Sequence, residues 1–276
     1  MPGPAVASQL EILRPNHQRG PFRCAVLDFD GTLSLIRANW QGIMIPLMVE
    51  VLARAVPAAS RAELETIVTE FVVRLTGQPT IVQMQALVDE MLRRSARPLA
   101  ATDYLAQYQA ELLAAAGARV AAIESGRDDP DRHMVPGARG LVEALAARGL
   151  HLVIASGTEW AHVVRETEIL NLTNYFGDRI HGPVNDDPTF TKLAVFQRLL
   201  VEENLRGEEV VIIGDGTAEV LAAREIGALA IGVASDEVAR DGRLNPLKAQ
   251  HLRAAGADLL VADYRDLPAL LSAAGL

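Results

Sequence analysis

Arg23-Cys24-Ala25-Val26-Leu27-Asp28-Phe29-Asp30-Gly31-Thr32 is a short apolar run that stops on an acid and passes into a glycine-containing turn. Bounded by Pro21 and Gly31, it reads as a buried strand. The sequence immediately after it offers no partner strand. From Leu35 to about Ala122 the apolar residues instead fall at helical spacing: Leu64, Ile67, Val68, Phe71, Val72 and Leu75, then Ile81, Met84, Leu87, Val88 and Met91. Pro57, Gly77-Gln78-Pro79 and Pro98 break this stretch into separate helices.

After the polar link Asp128-Asp129-Pro130-Asp131 the chain alternates between two patterns. Helices are expected near 138–148, 159–170, 191–204, 217–226, 247–255 and 266–274, and strands near 150–156, 178–181, 209–214, 229–234 and 258–261. Such alternation builds a parallel sheet covered on both faces, and the strand at 23–28 joins it most simply. The expected fold class is therefore α/β, a doubly wound parallel sheet with an inserted α-helical cap. Residues 1–20 are expected to be an irregular tail, 21–34 and 133–276 the α/β core, and 35–132 the cap. A cap that closes over a ligand must flex where it joins the core, near Ser34 to Ile36 and Asp128 to Arg132.

Composition narrows the partners. Half of the 276 residues are hydrophobic and 22% are charged, enough apolar surface for a large core and against disorder. The single cysteine, Cys24, can close no disulfide within the chain and builds no cysteine zinc site, which fits a reducing compartment; a cytoplasmic location is expected. A net charge of −9 supplies no positive field for a polyanion, so nucleic acid is not an expected partner. The most apolar stretch, Gly42 to Val56, is interrupted by Pro46, Glu50 and Arg54, so no membrane segment is expected. Residues 1–20 do not have the form of a secretion signal.

In open parallel sheets the working groups lie just past the carboxyl ends of strands. Those positions hold Asp28, Asp30, Gly31 and Thr32; Ser156, Gly157 and Thr158; and Gly214-Asp215-Gly216-Thr217-Ala218-Glu219, with Lys192 opening the helix between the last two groups. Lys192 has independent support, because only two of the 26 basic residues, Lys192 and Lys248, are lysines. A compact ammonium is a point charge for phosphate where a planar guanidinium does not fit.

This constellation resembles the haloacid dehalogenase-like hydrolase superfamily. Its hallmark Asp-x-Asp-x-Thr is read here as Asp28-Phe29-Asp30-Gly31-Thr32, and Ser156, Lys192 and Gly214 to Glu219 match its second, third and fourth motifs in order. The resemblance spans residues 22 to about 262, and the inserted helices look like the cap of the phosphoglycolate phosphatase and β-phosphoglucomutase branch. It implies a Mg²⁺-dependent phosphatase acting through an aspartyl phosphate on a small phosphorylated metabolite, with a sugar phosphate as the expected class. Asp28 would be the nucleophile and Asp30 the acid and base, a division of labour that phosphoryl transfer needs. Asp28, Asp215 and the backbone carbonyl of Asp30 would bind Mg²⁺, with Glu219 as outer support. Ser156, the amides of Gly157 and Gly31, and Lys192 would hold the phosphoryl oxygens.

A phosphomutase with the same core, or a non-catalytic module that binds a phosphorylated metabolite, are the alternatives. A phosphonatase-type Schiff base from the cap has no candidate, since residues 33–135 contain no lysine. The chain departs from the family pattern in three places: no acid follows Thr32 in Leu33 to Trp40, Lys192 is followed by Leu193 rather than proline, and the fourth motif ends in Glu219 rather than aspartate. Glycolate phosphate is therefore not the first expected substrate. Arg37, Trp40 and Gln41 are spaced to share one helical face past the loop. They are candidates to contact substrate, the alternative being a packed tryptophan and a solvated arginine.

Overall fold

The computed structural model describes residues 9–17, 20–76, 78–185 and 187–276. In chain order its elements are β1 (Leu10–Ile12), β2 (Cys24–Leu27), α1 (Gln41–Ala55), α2 (Arg61–Arg74), α3 (Thr80–Arg93), α4 (Ala101–Glu124), α5 (Ala138–Ala147), β3 (His151–Ala155), α6 (Trp160–Ile169), α7 (Thr173–Phe176), β4 (Ile180–His181), α8 (Lys192–Glu202), β5 (Val210–Gly214), α9 (Thr217–Ile226), β6 (Leu229–Val233), α10 (Pro246–Ala255), β7 (Leu259–Val261) and α11 (Leu267–Ala274). The strands form one sheet in the order β1-β7-β6-β5-β2-β3-β4.

Every pairing from β4 through β7 is parallel, and β2 lies between β3 and β5. The chain leaves β2 toward β3 and β4, then returns to the other side of β2 to lay down β5, β6 and β7. This change of direction opens a crevice at the carboxyl ends of β2, β3 and β5, where doubly wound sheets bind ligands.

Alternating side chains show why the sheet takes helices on both faces. Ala25, Leu27, Leu152, Ile154, Val211 and Ile213 face the cluster built with α5, α6, α7 and α11. Cys24, Val26, Val153, Ala155, Val210 and Ile212 face the cluster built with α8, α9 and α10. Because both faces are dry, β2 and β5 read as continuous apolar runs, with every residue buried.

One expectation needs correction. Residues 1–20 are not irregular throughout, since β1 pairs antiparallel with β7 through Leu10 and Val261, Glu11 and Leu260, and Ile12 and Leu259. A parallel strand would need a crossover, whereas this antiparallel segment caps the edge directly. Residues 1–8, part of the expected tail, lie outside the described residues.

Helices α1 to α4, inserted between β2 and α5, pack around an apolar cluster of their own that includes Met48, Leu52, Leu64, Val68, Val72, Met84 and Leu87. The end of α4 instead packs on the sheet side, through Ala116 and Ile123. The two connections to these helices run side by side. The amide of Leu35 donates to the His133 carbonyl at 2.7 Å, and that of Val135 to the Leu33 carbonyl at 3.0 Å. The first segment expected to flex is thus tied to residues 133–135, just past the second, and Asp128 to Arg132 is partly wound into a 3-10 turn at Pro130–His133. Among the described residues no helix is long and apolar enough to cross a membrane.

Candidate active site

The turn after β2 is tight. The Phe29 carbonyl accepts the amides of Thr32, Leu33 and Ser34 at 3.3, 2.8 and 2.8 Å. Gly31 adopts φ +74°, and a side chain there would collide with the Asp215 carboxylate. The same turn corrects one expectation: the Gly31 amide donates to the Ser34 carbonyl at 2.9 Å and is not presented to a ligand. The missing side chain leaves room for the Asp215 carboxylate beside the turn.

Thr191 caps α8 by accepting the Ala194 amide, which fixes Lys192 as the first helical residue. A cation at a helix N-terminus works against the helix dipole, so its carboxylate partners must account for the placement. Lys192 is 3% exposed and donates to Asp28 Oδ1 at 2.5 Å and to Glu219 Oε1. Burial works against its charge, but Asp28 and Glu219 outweigh burial and hold the ammonium above its ordinary range. Asp28 also accepts the Thr32 hydroxyl at 3.3 Å through Oδ2. Burial, only partly offset by Lys192, pushes the Asp28 carboxyl up to about 6. Glu219, expected beside a metal, thus reaches Lys192 first, because one turn of α9 carries it from Asp215 toward α8.

The second lysine is also in the site, which sequence reasoning missed. Asn245 caps α10 by accepting the amides of Leu247 and Lys248, placing Lys248 in the first turn. Its ammonium donates to Asp215 Oδ2 at 2.7 Å and to Glu237 Oε1 at 2.9 Å. Burial pushes Asp215 up to about 7 despite Lys248. For Glu237, burial is outweighed by the charge and hydrogen bond of Lys248, and its carboxyl lies below the usual range. Lys248→Met would leave Asp215 and Glu237 facing each other without a cation. Chemical denaturation at pH 8 is expected to show a loss of about 3 kcal/mol, shrinking at pH 5 where these carboxyls can protonate.

Asp30 lines a cavity together with Asp28 and Asp215. Its Oδ2 accepts the Thr158 hydroxyl at 2.8 Å, while Oδ1 is buried with no partner. Burial raises its pKa, against the opposing charge of Arg37. Thr158 is held in turn by its amide, which donates to Ser156 Oγ at 3.1 Å. Of the residues expected to hold phosphate, Ser156 and Gly157 line the same cavity, and Lys192 is not among the lining residues.

Arg37 and Trp40 line the cavity too, but Gln41 does not, and Met44 takes its place. The helical-face expectation fails because α1 begins only at Gln41, so Arg37 sits in the preceding turns. Neither is Arg37 solvated. It is 8% exposed, and its Nε donates to Glu166 Oε1 at 2.7 Å.

The site therefore gathers Asp28, Asp30, Asp215, Glu219 and Glu237 against two ammonium groups, with Arg37 matched by Glu166. Three negative charges remain unmatched. Among the described residues no three His, Cys, Asp or Glu side chains gather into a metal cage. The available donors are Asp28, Asp215 and backbone oxygen. That hard, anionic, incomplete set fits Mg²⁺, which keeps waters and takes substrate phosphate as further ligands.

The family model described as haloacid dehalogenase-like hydrolase matches residues 22–227. No curated protein matches the chain. Solved structures resemble it in fold. A predicted phosphoglycolate phosphatase from Haemophilus somnus 129PT is 20% identical, with TM-score 0.58, over 90% of this chain and 97% of that one. A β-phosphoglucomutase from Clostridium difficile is 13% identical, with TM-score 0.61, over 92% and 97%. A hydrolase of the same family from Deinococcus radiodurans R1, solved with bound phosphate and sodium, is 20% identical, with TM-score 0.55, over 93% and 98%.

Proposed function

Since the chain belongs to the haloacid dehalogenase-like hydrolase family, we propose that it is a Mg²⁺-dependent phosphatase that hydrolyses a small phosphorylated metabolite through an aspartyl phosphate on Asp28. The observation that carries this reading is the asymmetry of the two acids at the end of β2. Asp28 is gripped by Lys192 at 2.5 Å, while Asp30 keeps one buried oxygen without a partner on the cavity. A carboxylate held by a cation suits a nucleophile, and a carboxyl with a raised pKa and a free oxygen suits a proton donor.

In the first half-reaction the Asp28 carboxylate forms a bond to phosphorus as the ester P–O bond breaks. Asp30, protonated at Oδ1, gives its proton to the departing oxygen, with Thr158 fixing Oδ2. In the second half-reaction Asp30, now ionised, takes a proton from water as the water attacks phosphorus. Inorganic phosphate leaves and Asp28 is restored. Ser156 and Gly157 orient the phosphoryl oxygens from the end of β3. The Mg²⁺ held by Asp28, Asp215 and the Asp30 carbonyl would neutralise phosphoryl charge. Residues 35–132 act as a cap that supplies the wall opposite the core, and residues 21–34 and 133–276 are the catalytic core.

Phosphate release from a panel of phosphomonoesters, with Mg²⁺ and with chelator, tests the reading. Metal-dependent release supports it; exchange of phosphate between positions on a substrate without release would favour a mutase. A thermal measurement checks the charge argument independently. Asp28 and Asp215 sit at about 6 and 7, above the ordinary carboxylate range, so without metal their contribution to stability is present at low pH and lost as pH rises through those values. A divalent cation must displace those protons. Mg²⁺ is therefore expected to raise the melting temperature more at pH 8 than at pH 5.5, by differential scanning fluorimetry.

A further inference from the structure

The loop that joins β6 to α10 grips both connections of the inserted helices. It closes on itself: the Asn245 amide donates to the Ala234 carbonyl at 2.7 Å, and Asp236 Oδ1 accepts the amides of Val238 and Ala239 at 3.0 and 2.7 Å. From this fixed loop the Ser235 hydroxyl donates to the Gly31 carbonyl at 2.9 Å, Glu237 Oε2 accepts the Asn39 amide at 3.1 Å, and Arg240 Nη1 donates to the Arg132 carbonyl at 2.7 Å. Asn39 lies on the connection into α1 and Arg132 on the connection out of α4. Arg119, on α4, holds the first connection from the other side, donating to the Ile36 and Ala38 carbonyls at 2.8 and 3.3 Å.

Glu237 also faces the charge cluster. Its side chain is 11% exposed, and its second oxygen, Oε1, accepts Lys248 at 2.9 Å, while the same ammonium donates to Asp215 Oδ2 at 2.7 Å. An unbroken chain of hydrogen bonds thus runs from the Asn39 amide through Glu237 and Lys248 to Asp215. Lys248 divides one positive charge between two carboxylates. Were Glu237 to let go, that charge would fall wholly on Asp215 and compete there with a divalent cation. The first connection bears on the cavity as well, because Trp40, the residue after Asn39, lines it.

We propose that Glu237 is a positioning residue that couples the connection at residues 36–40 to the cation site at Asp215, so that the held connection and the cation-binding form of Asp215 favour each other. The inference rests on the metal assignment of the phosphatase reading and adds a residue that acts on that site through Lys248. Coupling of this kind is reciprocal: if the hold on Asn39 strengthens cation binding, the cation strengthens the hold on Asn39 by the same factor. Glu237→Gln breaks the chain, because an amide offers one acceptor oxygen where a carboxylate offers two, and its nitrogen accepts from neither Asn39 nor Lys248.

The test reads hydrogen–deuterium exchange at residues 36–40, with and without Mg²⁺, beside calorimetric titration with Mg²⁺, on the full chain of wild type, Glu237→Gln and Lys248→Met. In wild type Mg²⁺ is expected to slow exchange at the Asn39 amide by about fivefold or more. In Glu237→Gln that slowing is expected to vanish and the Kd for Mg²⁺ to rise by about tenfold, the scale of a lost partner behind a metal ligand. Lys248→Met cuts the chain at its middle, so exchange at Asn39 should no longer answer to Mg²⁺ although Asp215 still binds it. Mg²⁺ binding to wild type with no change at Asn39 would overturn the inference, as would a Glu237→Gln protein with the wild-type Kd, or a Lys248→Met protein whose Asn39 amide still responds. A wild-type protein that binds no Mg²⁺ overturns both the inference and the metal assignment. Neither measurement needs turnover. Exchange that answers to Mg²⁺ while no phosphomonoester is hydrolysed overturns the phosphatase reading and keeps the coupling, whereas turnover without that response overturns the coupling alone.

Discussion

Asp28→Asn is expected to reduce phosphate release by about 10⁴-fold or more, with the melting temperature unchanged or raised. The substitution removes the nucleophilic charge but not the shape. An amide oxygen at the Oδ1 position still accepts from Lys192, and its nitrogen lies where Oδ2 now accepts the Thr32 hydroxyl at 3.3 Å. It also lowers the excess negative charge of the cluster by one, a change that favours the folded state. Release assays beside thermal melts separate the two effects. Near-wild-type release from a folded Asp28→Asn protein would remove the aspartyl phosphate from the mechanism.

Lys192→Met is expected to damage both activity and stability. Its ammonium is the common partner of Asp28 and Glu219, both buried, so removing it strands two carboxylates in the interior. Breaking a buried pair in this way costs about 3–5 kcal/mol, and turnover should fall by about 10²–10³-fold as Asp28 loses its orienting cation. The stability loss has a sign in pH. The Asp28 carboxyl already sits at about 6 with the lysine present; without it the value rises further, so the variant gains protons on folding and weakens as pH rises. Urea denaturation at pH 5 and pH 8 should show the larger deficit at pH 8. Lys192→Arg should restore little, since a planar fork cannot occupy the space of a compact ammonium between two carboxylates. A pH-independent deficit would show that packing, not charge, is what Lys192 supplies.

The parallel sheet was legible because its strands are buried on both faces and bounded by breakers; the strands at 151–155, 210–214 and 229–233 all lie within the expected ranges. β1 was not, since three residues carry no period and their partner is far along the chain. The same limit hid the Arg37 and Glu166 pair, 129 residues apart, and the bond between Thr158 and Asp30, 128 apart. Arg37 could be placed near the site from its loop, but its neutralisation by Glu166 could not. Lys248 is a different case. The scarcity of lysine that singled out Lys192 applies equally to the other one, and both prove to sit among carboxylates in the first turn of a helix. The signal was present, but Lys248 follows no strand end directly, the place where a parallel sheet is expected to hold its working groups.

The borders of the sheet bear on how the molecule behaves at high concentration. Open parallel sheets carry unpaired backbone at both margins, a template on which a second chain can add and begin to aggregate. Here one margin is covered by the three-residue β1 and the other is the two-residue β4. Among the described residues, neither offers enough consecutive amides and carbonyls to seed a ladder. The segment Leu10–Ile12, remote from the chemistry, thus serves colloidal stability: it closes β7 and leaves only short ends facing water.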